Sequence, residues 1–442
     1  MNAVCVFCVL CFLLVAGKLI RMRVPLLQKL YLPSSVIGGL LGLVVFTVCG
    51  RWFPFFNELT AGASKCPGFL INVIFATLFL GMATPNFGKV VRLSFPQLCL
   101  GQIIAWGQYV VGLGLAGFVF VKLFGVPAAF GNLLEIGFEG GHGTVGGMAQ
   151  SFRHYNWEAG IQLGFTVATF GMVVGIVAGM ALVQWAYRRG IVSQVRTFSD
   201  RRLNERIGVH LRSSRPSAGR QTVASDSIDS LAWHLAVVGV SMLIGWGLWH
   251  LVPVKGFPLF PLCMIGGIIL QVVAKWLKKD LLIDRIQMER ISGAALDFLV
   301  VSAVSTIRLD VVAANWMPLV ILCVSGAVWS ISAVMFIGPR IFRDNWFERS
   351  IAEFGQATGV TATGLLLLRT VDPENRTPAA MSFGYKQLLH EPIMGGGIWT
   401  ALALTLVYEW GWFKVFVLSS AMLILWLICM IVLWYNNGRK KL

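Results

Sequence analysis

Charge is scarce in this sequence. Only 13% of its 442 residues are Asp, Glu, Lys or Arg, about half the roughly 25% of an ordinary soluble domain, which excludes a soluble globular fold. Reactive signatures are missing too. There is no H-E-x-x-H, G-x-S-x-G or Walker pattern and no evident nucleophile–base pair, so the residues give no footing to an enzyme or a nucleotide-driven pump. Histidine is limited to six residues. The nine cysteines mostly lie inside apolar runs. Cys5, Cys8 and Cys11 form two overlapping C-x-x-C patterns, but with no His or carboxylate beside them they read as small packing residues, not metal ligands. No disulfide is required. No positive charge precedes the first apolar run, whereas Lys18, Arg21 and Arg23 follow it. That is the reverse of signal-peptide order, so the segment is expected to be retained as a first helix.

What the sequence does have is apolar length. Hydrophobic residues make up 57% and the mean hydropathy is +0.75, so an all-α polytopic membrane protein is expected. At roughly 20 residues per crossing the chain accommodates about ten to twelve spans. They are expected near 3–20, 34–50, 68–86, 97–123, 160–187, 229–251, 258–276, 292–309, 315–337, 389–408 and 412–435. The net charge of +16 would suggest nucleic acid in a soluble protein. Here it fits Lys and Arg gathered in cytoplasmic loops, and no nucleic-acid partner is expected.

Two stretches do not read as plain crossings. Between the fourth and fifth spans, Gly137 to Gly147 runs Gly-Phe-Glu-Gly-Gly-His-Gly-Thr-Val-Gly-Gly, with six glycines in eleven residues. Each glycine costs a helix interior about 1 kcal/mol relative to alanine, and irregular backbone at membrane depth is tolerated only where protein buries it or a watery cavity meets it. The second stretch, 348–369, is centred on Gly355-Gln356-Ala357-Thr358-Gly359. Both are expected to be re-entrant hairpins, at about 126–155 and 348–369.

With the N-terminus outside, seven basic residues (Arg51, Lys65, Lys122, Arg153, Lys255, Arg308 and Lys414) fall on the outer side. The rest, including Arg439, Lys440 and Lys441, fall on the inner side, as the positive-inside rule asks. The stretch 189–228 reads as a basic cytoplasmic linker. With its border it holds Arg188, Arg189, Arg196, Arg201, Arg202, Arg206, Arg212, Arg215 and Arg220. A solvated connector is the default, and attraction to anionic lipid the alternative.

The linker separates two halves that resemble each other. Pro33-Ser34-Ser35-Val36-Ile37-Gly38-Gly39 opens the second span, and Pro261-Leu262-Cys263-Met264-Ile265-Gly266-Gly267 sits at the matching place in the second half. Pro, Ile and the Gly pair agree at identical spacing. With five crossings per half, the second copy enters the membrane upside down. The expected layout is a first repeat at 1–188, a second inverted repeat at 229–408, and an extra helix with a basic tail at 409–442. Paired interrupted segments in inverted repeats point to a secondary transporter and to its binding site.

Gly140-Gly141-His142-Gly143-Thr144 resembles the signature of the bacterial sodium/glutamate symporter family. So do Pro33 with Gly38-Gly39, and Ala168-Thr169-Phe170-Gly171-Met172-Val173-Val174-Gly175 with Gly179. The resemblance spans about residues 1–408. It implies two inverted five-helix repeats, each with a re-entrant hairpin, sodium-coupled glutamate uptake by alternating access, a homodimer, and a bacterial inner membrane with the C-terminus cytoplasmic. The chain departs from the family pattern at Glu139, where a serine is expected, at the extra acid Asp297, in the loosely matching Gly355–Gly364, and in the helix at 412–435.

For an anionic amino acid, Gly140, Gly141 and Gly143 allow close approach to backbone N–H groups. Glu139 suits an ammonium group. Hydroxyls of Thr144, Thr358, Thr361 and Thr363 suit Na+. Expected substrate-binding residues are thus Glu139, Gly140, Gly141, His142, Gly143, Thr144, Gln356 and Thr358. Expected ion-coupling residues are Glu139, Thr144, Asp297, Thr358, Thr361 and Thr363. His142 is open to a binding, proton-coupling or structural role. Glu353 joins Glu139 and Asp297 as an ionisable residue at membrane depth, although Asp297 and Glu353 fit an interfacial position nearly as well. Arg153, Arg308 and Asp310 read as interfacial. No cofactor is expected, and Na+ is the coupling ion, with H+ as the alternative. The other readings are a proton-coupled carrier of another organic anion or amino acid and, less well supported, a passive channel, whose filter normally comes from identical loops.

Overall fold

The computed structural model describes residues 2–82, 87–192, 203–211, 215–254 and 256–439. Outside them lie the end of the span expected at 68–86, the linker residues Arg196, Arg201, Arg202 and Arg212, Lys255, and the tail residues Lys440 and Lys441. The described residues are 79% helix and contain no strand.

In chain order the main helices are α1 (Ala3–Arg23), α2 (Ser34–Cys49), α3 (Cys66–Thr77), α4 (Phe87–Leu115), α5 (Leu133–Phe138), α6 (Gly141–Gly147) and α7 (Ala159–Arg188). The second half adds α8 (Ser230–Trp249), α9 (Phe260–Trp276), α10 (Arg285–Ser305), α11 (Trp316–Ile341), α12 (Trp346–Val371), α13 (Ala379–His390), α14 (Ile398–Glu409) and α15 (Trp412–Arg439). Eight helical stretches among the described residues are long and apolar enough to cross a membrane.

The span expected at 97–123 begins already at Phe87, and three other boundaries differ from the hydropathy reading, each for a local reason. The span expected at 68–86 lies earlier: α3 ends at Thr77, and with the helix Pro54–Ala63 it forms a 24-residue apolar stretch. Pro54 and Pro67 sit in first turns, where their missing N–H costs nothing. The span expected at 292–309 starts at Arg285, because the Asp284 carboxylate accepts from the Gln287 N–H and caps the helix. The span expected at 389–408 is two helices, interrupted at Glu391–Gly397. Pro392 lies in the interruption, and Gly395 and Gly396 adopt φ of +66° and +108°, which no continuing helix permits.

The chain divides into two compact units, to which both sequence halves contribute. Unit 1 comprises Met1–Thr84, Gly146–Trp157 and Arg202–Ile307. Within it the two Gly-Gly motifs occupy matching places. A Cβ on Gly17 of α1 would stand 2.6 Å from the Gly38 nitrogen on α2, and one on Gly245 of α8 would stand 2.6 Å from the Cys263 nitrogen on α9. Gly39 then packs on Val304 of α10, and Gly267 on Ala76 of α3. Close approach through small residues is how helices associate where lipid offers no hydrophobic drive. Val6, Leu10, Leu13, Phe46 and Val301 fill one core beside these contacts, and Ala76, Val237, Val238, Cys263 and Met288 fill another. The later part of the linker joins this unit: Lys18 Nζ donates to the carbonyls of Ile207 and Gly208 at 3.0 and 2.7 Å.

Unit 2 comprises Pro85–Val145, Glu158–Arg201 and Arg308–Leu442. Among its long apolar helices α12 is the most buried, 72% over its apolar window, whereas α15 is only 11% buried. α12 is not straight. Gly359 and Val360 leave helical geometry, and a Cβ on Gly355 would stand 2.7 Å from Gly364 Cα. Nine residues of straight helix would separate these positions by about 13 Å, so the chain doubles back at Gly359–Val360. α7 runs alongside: Trp185 meets Phe347, Gly171 and Gly175 meet Thr358, and Gly179 meets Leu367.

Alanine replacement separates contact from open space. Gly266→Ala drives a methyl into the Ser241 carbonyl of α8 and is expected to cost about 1–3 kcal/mol. Gly239→Ala, with nothing within 4 Å, is expected to be neutral or to stabilise by up to about 1 kcal/mol. Thermal unfolding of the two variants checks this, and equal destabilisation would contradict it.

Candidate functional site

The site is built within unit 2 by three interruptions. At the first, the N–H groups of Glu139 and Gly140 both donate to Glu135 O, and Gly141 turns to φ +68°, closing α5 in the left-handed conformation that ends helices. Glu135 and Glu139, four residues apart, therefore share one face. The second is the reversal of α12, where Val360 holds φ +62°. For a β-branched residue this is strained by about 1–3 kcal/mol. The two tips touch: a Cβ on Gly141 would stand 2.5 Å from Val360 Cγ1. The third interruption is Glu391–Gly397. Just before it, α13 presents Lys386 and Gln387 and, one turn later, His390.

These elements gather a buried polar cluster. His390 Nε2 and Gln356 Nε2 both reach Glu139 Oε1, the latter at 3.4 Å. Gln356 Oε1 accepts from Lys386 Nζ at 3.0 Å and from Gln387 Nε2 at 2.6 Å, while Gln356 Nε2 donates to Gln387 Oε1 at 3.1 Å. Lys386 Nζ also lies 3.0 Å from Glu353 Oε2, with both side chains buried. Gln97 Nε2 donates to the other Glu353 oxygen at 2.8 Å. Taking one partner from a buried pair strands a charge, at a cost of roughly 3–5 kcal/mol.

Donor-only groups orient this network. Trp106 Nε1 donates to Gln102 Oε1 at 2.9 Å, which turns Gln102 Nε2 toward His390 Nδ1 at 3.2 Å. Nδ1 must therefore accept. His390 is neutral, with its proton on Nε2, and donates that proton to Glu139. Lys386 fixes the Gln356 amide in the same way, its nitrogen facing Glu139. Glu139 Oε2 accepts no hydrogen bond from the described residues. Alongside, Glu135 accepts from Tyr109 Oη at 2.5 Å, Gly395 N at 2.9 Å and Thr400 Oγ1 at 2.8 Å, tying the third interruption to α5.

Of the residues expected from sequence, Glu139, Gln356 and Thr361 meet in this cluster. Thr361 Oγ1 donates to Glu391 Oε1 at 2.9 Å and accepts from Gln387 at 3.1 Å. Gly140, Gly141 and the buried Gly143 form the first tip. Thr144, Thr358 and Thr363 each donate back to a carbonyl, of Gly140, Phe354 and Gly359 at 2.9, 2.7 and 2.5 Å. His142 stands apart from Glu139's partners, its Nε2 2.9 Å from Thr169 Oγ1. Asp297 lies in unit 1, exposed on α10. Glu353 is fully buried in an ion pair with Lys386. Arg153, Arg308 and Asp310 are exposed, and the Arg308 bond holds the Asp310 carboxyl below its usual range.

Sequence reading missed Glu135, Gln97, Gln102, Lys386, Gln387 and His390. Signals for them existed. Glu135 precedes Glu139 by one helical turn, and Lys386–His390 share i, i+4 spacing just ahead of Gly395-Gly396-Gly397.

Described residues that form helices and no strand, eight stretches of them long and apolar enough to cross a membrane, make this a multi-pass membrane protein. The sodium/glutamate symporter family model matches residues 1–369, and the chain belongs to that family. Comparison with individual curated proteins produced no match. The family is one of transporters, not enzymes. Lys386, Gln387 and His390 lie beyond the matched residues.

The contact between the tips is testable by a double-mutant cycle. Gly141→Ala combines a left-handed φ, which costs a side chain roughly 1–2 kcal/mol, with the clash against Val360. Adding Val360→Ala should restore part of the lost stability. Strictly additive effects in thermal unfolding would contradict the contact.

Proposed function

We propose that the chain is a secondary active transporter that couples Na+ to uptake of glutamate, or a related carboxylate or amino acid, by alternating access. The supporting observation is the buried cluster at the meeting tips of α5–α6 and α12, in a family of sodium/glutamate symporters. The Glu139 oxygen that accepts no described hydrogen bond is the acceptor for a substrate ammonium or a coupling ion. Gln356 and Gln387 satisfy each other here and His390 is spent on Glu139, and they exchange those bonds for a substrate carboxylate. Thr144, Thr358 and Thr363 spend their hydrogens on their own helices, leaving oxygen lone pairs free for Na+. Gly140, Gly141 and Gly143 let the solute approach the backbone.

In this reading the two interrupted segments are re-entrant hairpins entering from opposite faces. The halves are inverted repeats of five spans with α15 added, supported by the paired contacts of Gly38 and Gly266 and of Gly39 and Gly267. The protein is a homodimer in the lipid of a bacterial inner membrane, N-terminus outside and C-terminus cytoplasmic. It needs no cofactor. The second reading, coupling to protons, is favoured by the direct Glu139–His390 contact. The passive-channel reading has no comparable observation in its favour.

Uptake of labelled L-glutamate into proteoliposomes, with sodium and proton gradients imposed separately, decides between the two. Accumulation above equilibrium driven by sodium is expected. Accumulation driven by protons alone selects the second reading, and equilibration without accumulation selects a channel. Glu139→Gln should change the ion dependence or raise the half-saturating glutamate concentration while expression stays near normal. Unchanged uptake across sodium and pH would remove Glu139 from the mechanism. Gly143→Leu should abolish uptake, and full activity would argue against close solute approach there.

A further inference from the structure

The buried ammonium of Lys386 has no part in the substrate and ion roles set out above. We propose that it is a cation site filled from within: Lys386 stands where a free monovalent cation would otherwise neutralise Glu353, so this position takes no sodium ion. The inference rests on reading the cluster as the transport site.

Four observations carry it. Lys386 and Glu353 are fully buried, and their 3.0 Å contact puts a single positive charge directly on the carboxylate. The other polar partner is an oxygen, Gln356 Oε1 at 3.0 Å, and oxygen is the ligand type that hard cations take. The remaining Glu353 oxygen is held by Gln97 at 2.8 Å, so the carboxylate is aimed at the ammonium instead of turning away. Space for the pair is built in at Gly101: a Cβ there would stand 2.8 Å from both Glu353 Oε2 and Lys386 Nζ. The Phe383 ring closes one side, its centroid 5.8 Å from Nζ. Glu353 and Gln356 lie within the residues matching the family, whereas Lys386 lies beyond them, so the charge arrives on a separate helix. Lysine supplies the same unit charge as Na+ but cannot leave. The chain therefore carries its own counter-ion at this position.

The test needs no substrate, so it stands apart from whether glutamate is transported. Full-length wild type, Lys386→Met and Lys386→Met/Glu353→Gln are purified, and thermal unfolding is followed as choline is replaced by sodium at constant ionic strength. Lys386→Met should gain a saturable rise in Tm with sodium, beyond any shown by wild type, because the emptied place accepts the free ion. The double variant, with no carboxylate to neutralise, should lose that gain. Recovery of folded Lys386→Met only when sodium is present also supports the proposal. A Lys386→Met protein whose sodium response equals that of wild type overturns it, as does an equal gain in the double variant. If Lys386→Met cannot be recovered in either salt while the double variant folds, the pair is structural only and the proposal fails.

Discussion

The side-chain amide of Gln356 holds the centre of unit 2 together. Its oxygen accepts from Lys386 and Gln387, and its nitrogen donates to Gln387 and Glu139. In an apolar interior no bulk water is present to replace a missing partner, and an unsatisfied buried polar group costs about 1–3 kcal/mol. The broken backbone at Gly141, Val360 and Gly395–Gly397 follows from this. Glu139, Gln356 and His390 come from three different elements, and each lies within five residues of one of these breaks. Strain at Val360 and helix-ending glycines are the cost of meeting that demand.

Glycine does different work in the two units. In unit 1 the pairs Gly17–Gly38 and Gly245–Gly266 bring helix backbones together, and the packing around them is apolar. In unit 2, Gly171, Gly175 and Gly179 on α7 accept the doubled-back α12 along its length, and Gly101 makes room for the Lys386–Glu353 pair. Unit 1 is thus a set of tightly apposed apolar helices, and unit 2 is a polar centre held by helices that yield space to it. The Glu135 contacts with Gly395 N and Thr400 fix the third interruption against α5, so the centre is braced from behind.

Much of the helical framework was legible in the sequence, because long apolar runs leave few alternatives to a helix. The glycine-rich tip at Gly137–Gly147 and the matching Pro-x-x-x-Ile-Gly-Gly motifs stood out because they break the pattern around them. The residues of the cluster were harder to find. Gln97 and Gln102 hide inside a run that averages as apolar. Lys386 and His390 sit where hydropathy places a loop and the start of a span, since an average cannot see that two charged or polar residues one turn apart face a buried partner. Glu353 was open between membrane depth and an interfacial position, and its partner Lys386, 33 residues later in the chain, was not visible from the sequence around it. Asp297 drew attention as an acid in an apolar run, yet it lies on an exposed face of α10 in the other unit.

Alternating access demands that the cluster be reachable from each side of the membrane in turn. The most direct measurement places a cysteine at Thr361, in a background lacking the native cysteines, and follows labelling by a membrane-impermeant thiol reagent in right-side-out and inside-out vesicles. Labelling from both sides, slowed by glutamate with sodium on each, is the predicted result. Labelling from one side only, with no protection by substrate on the other, would contradict the account.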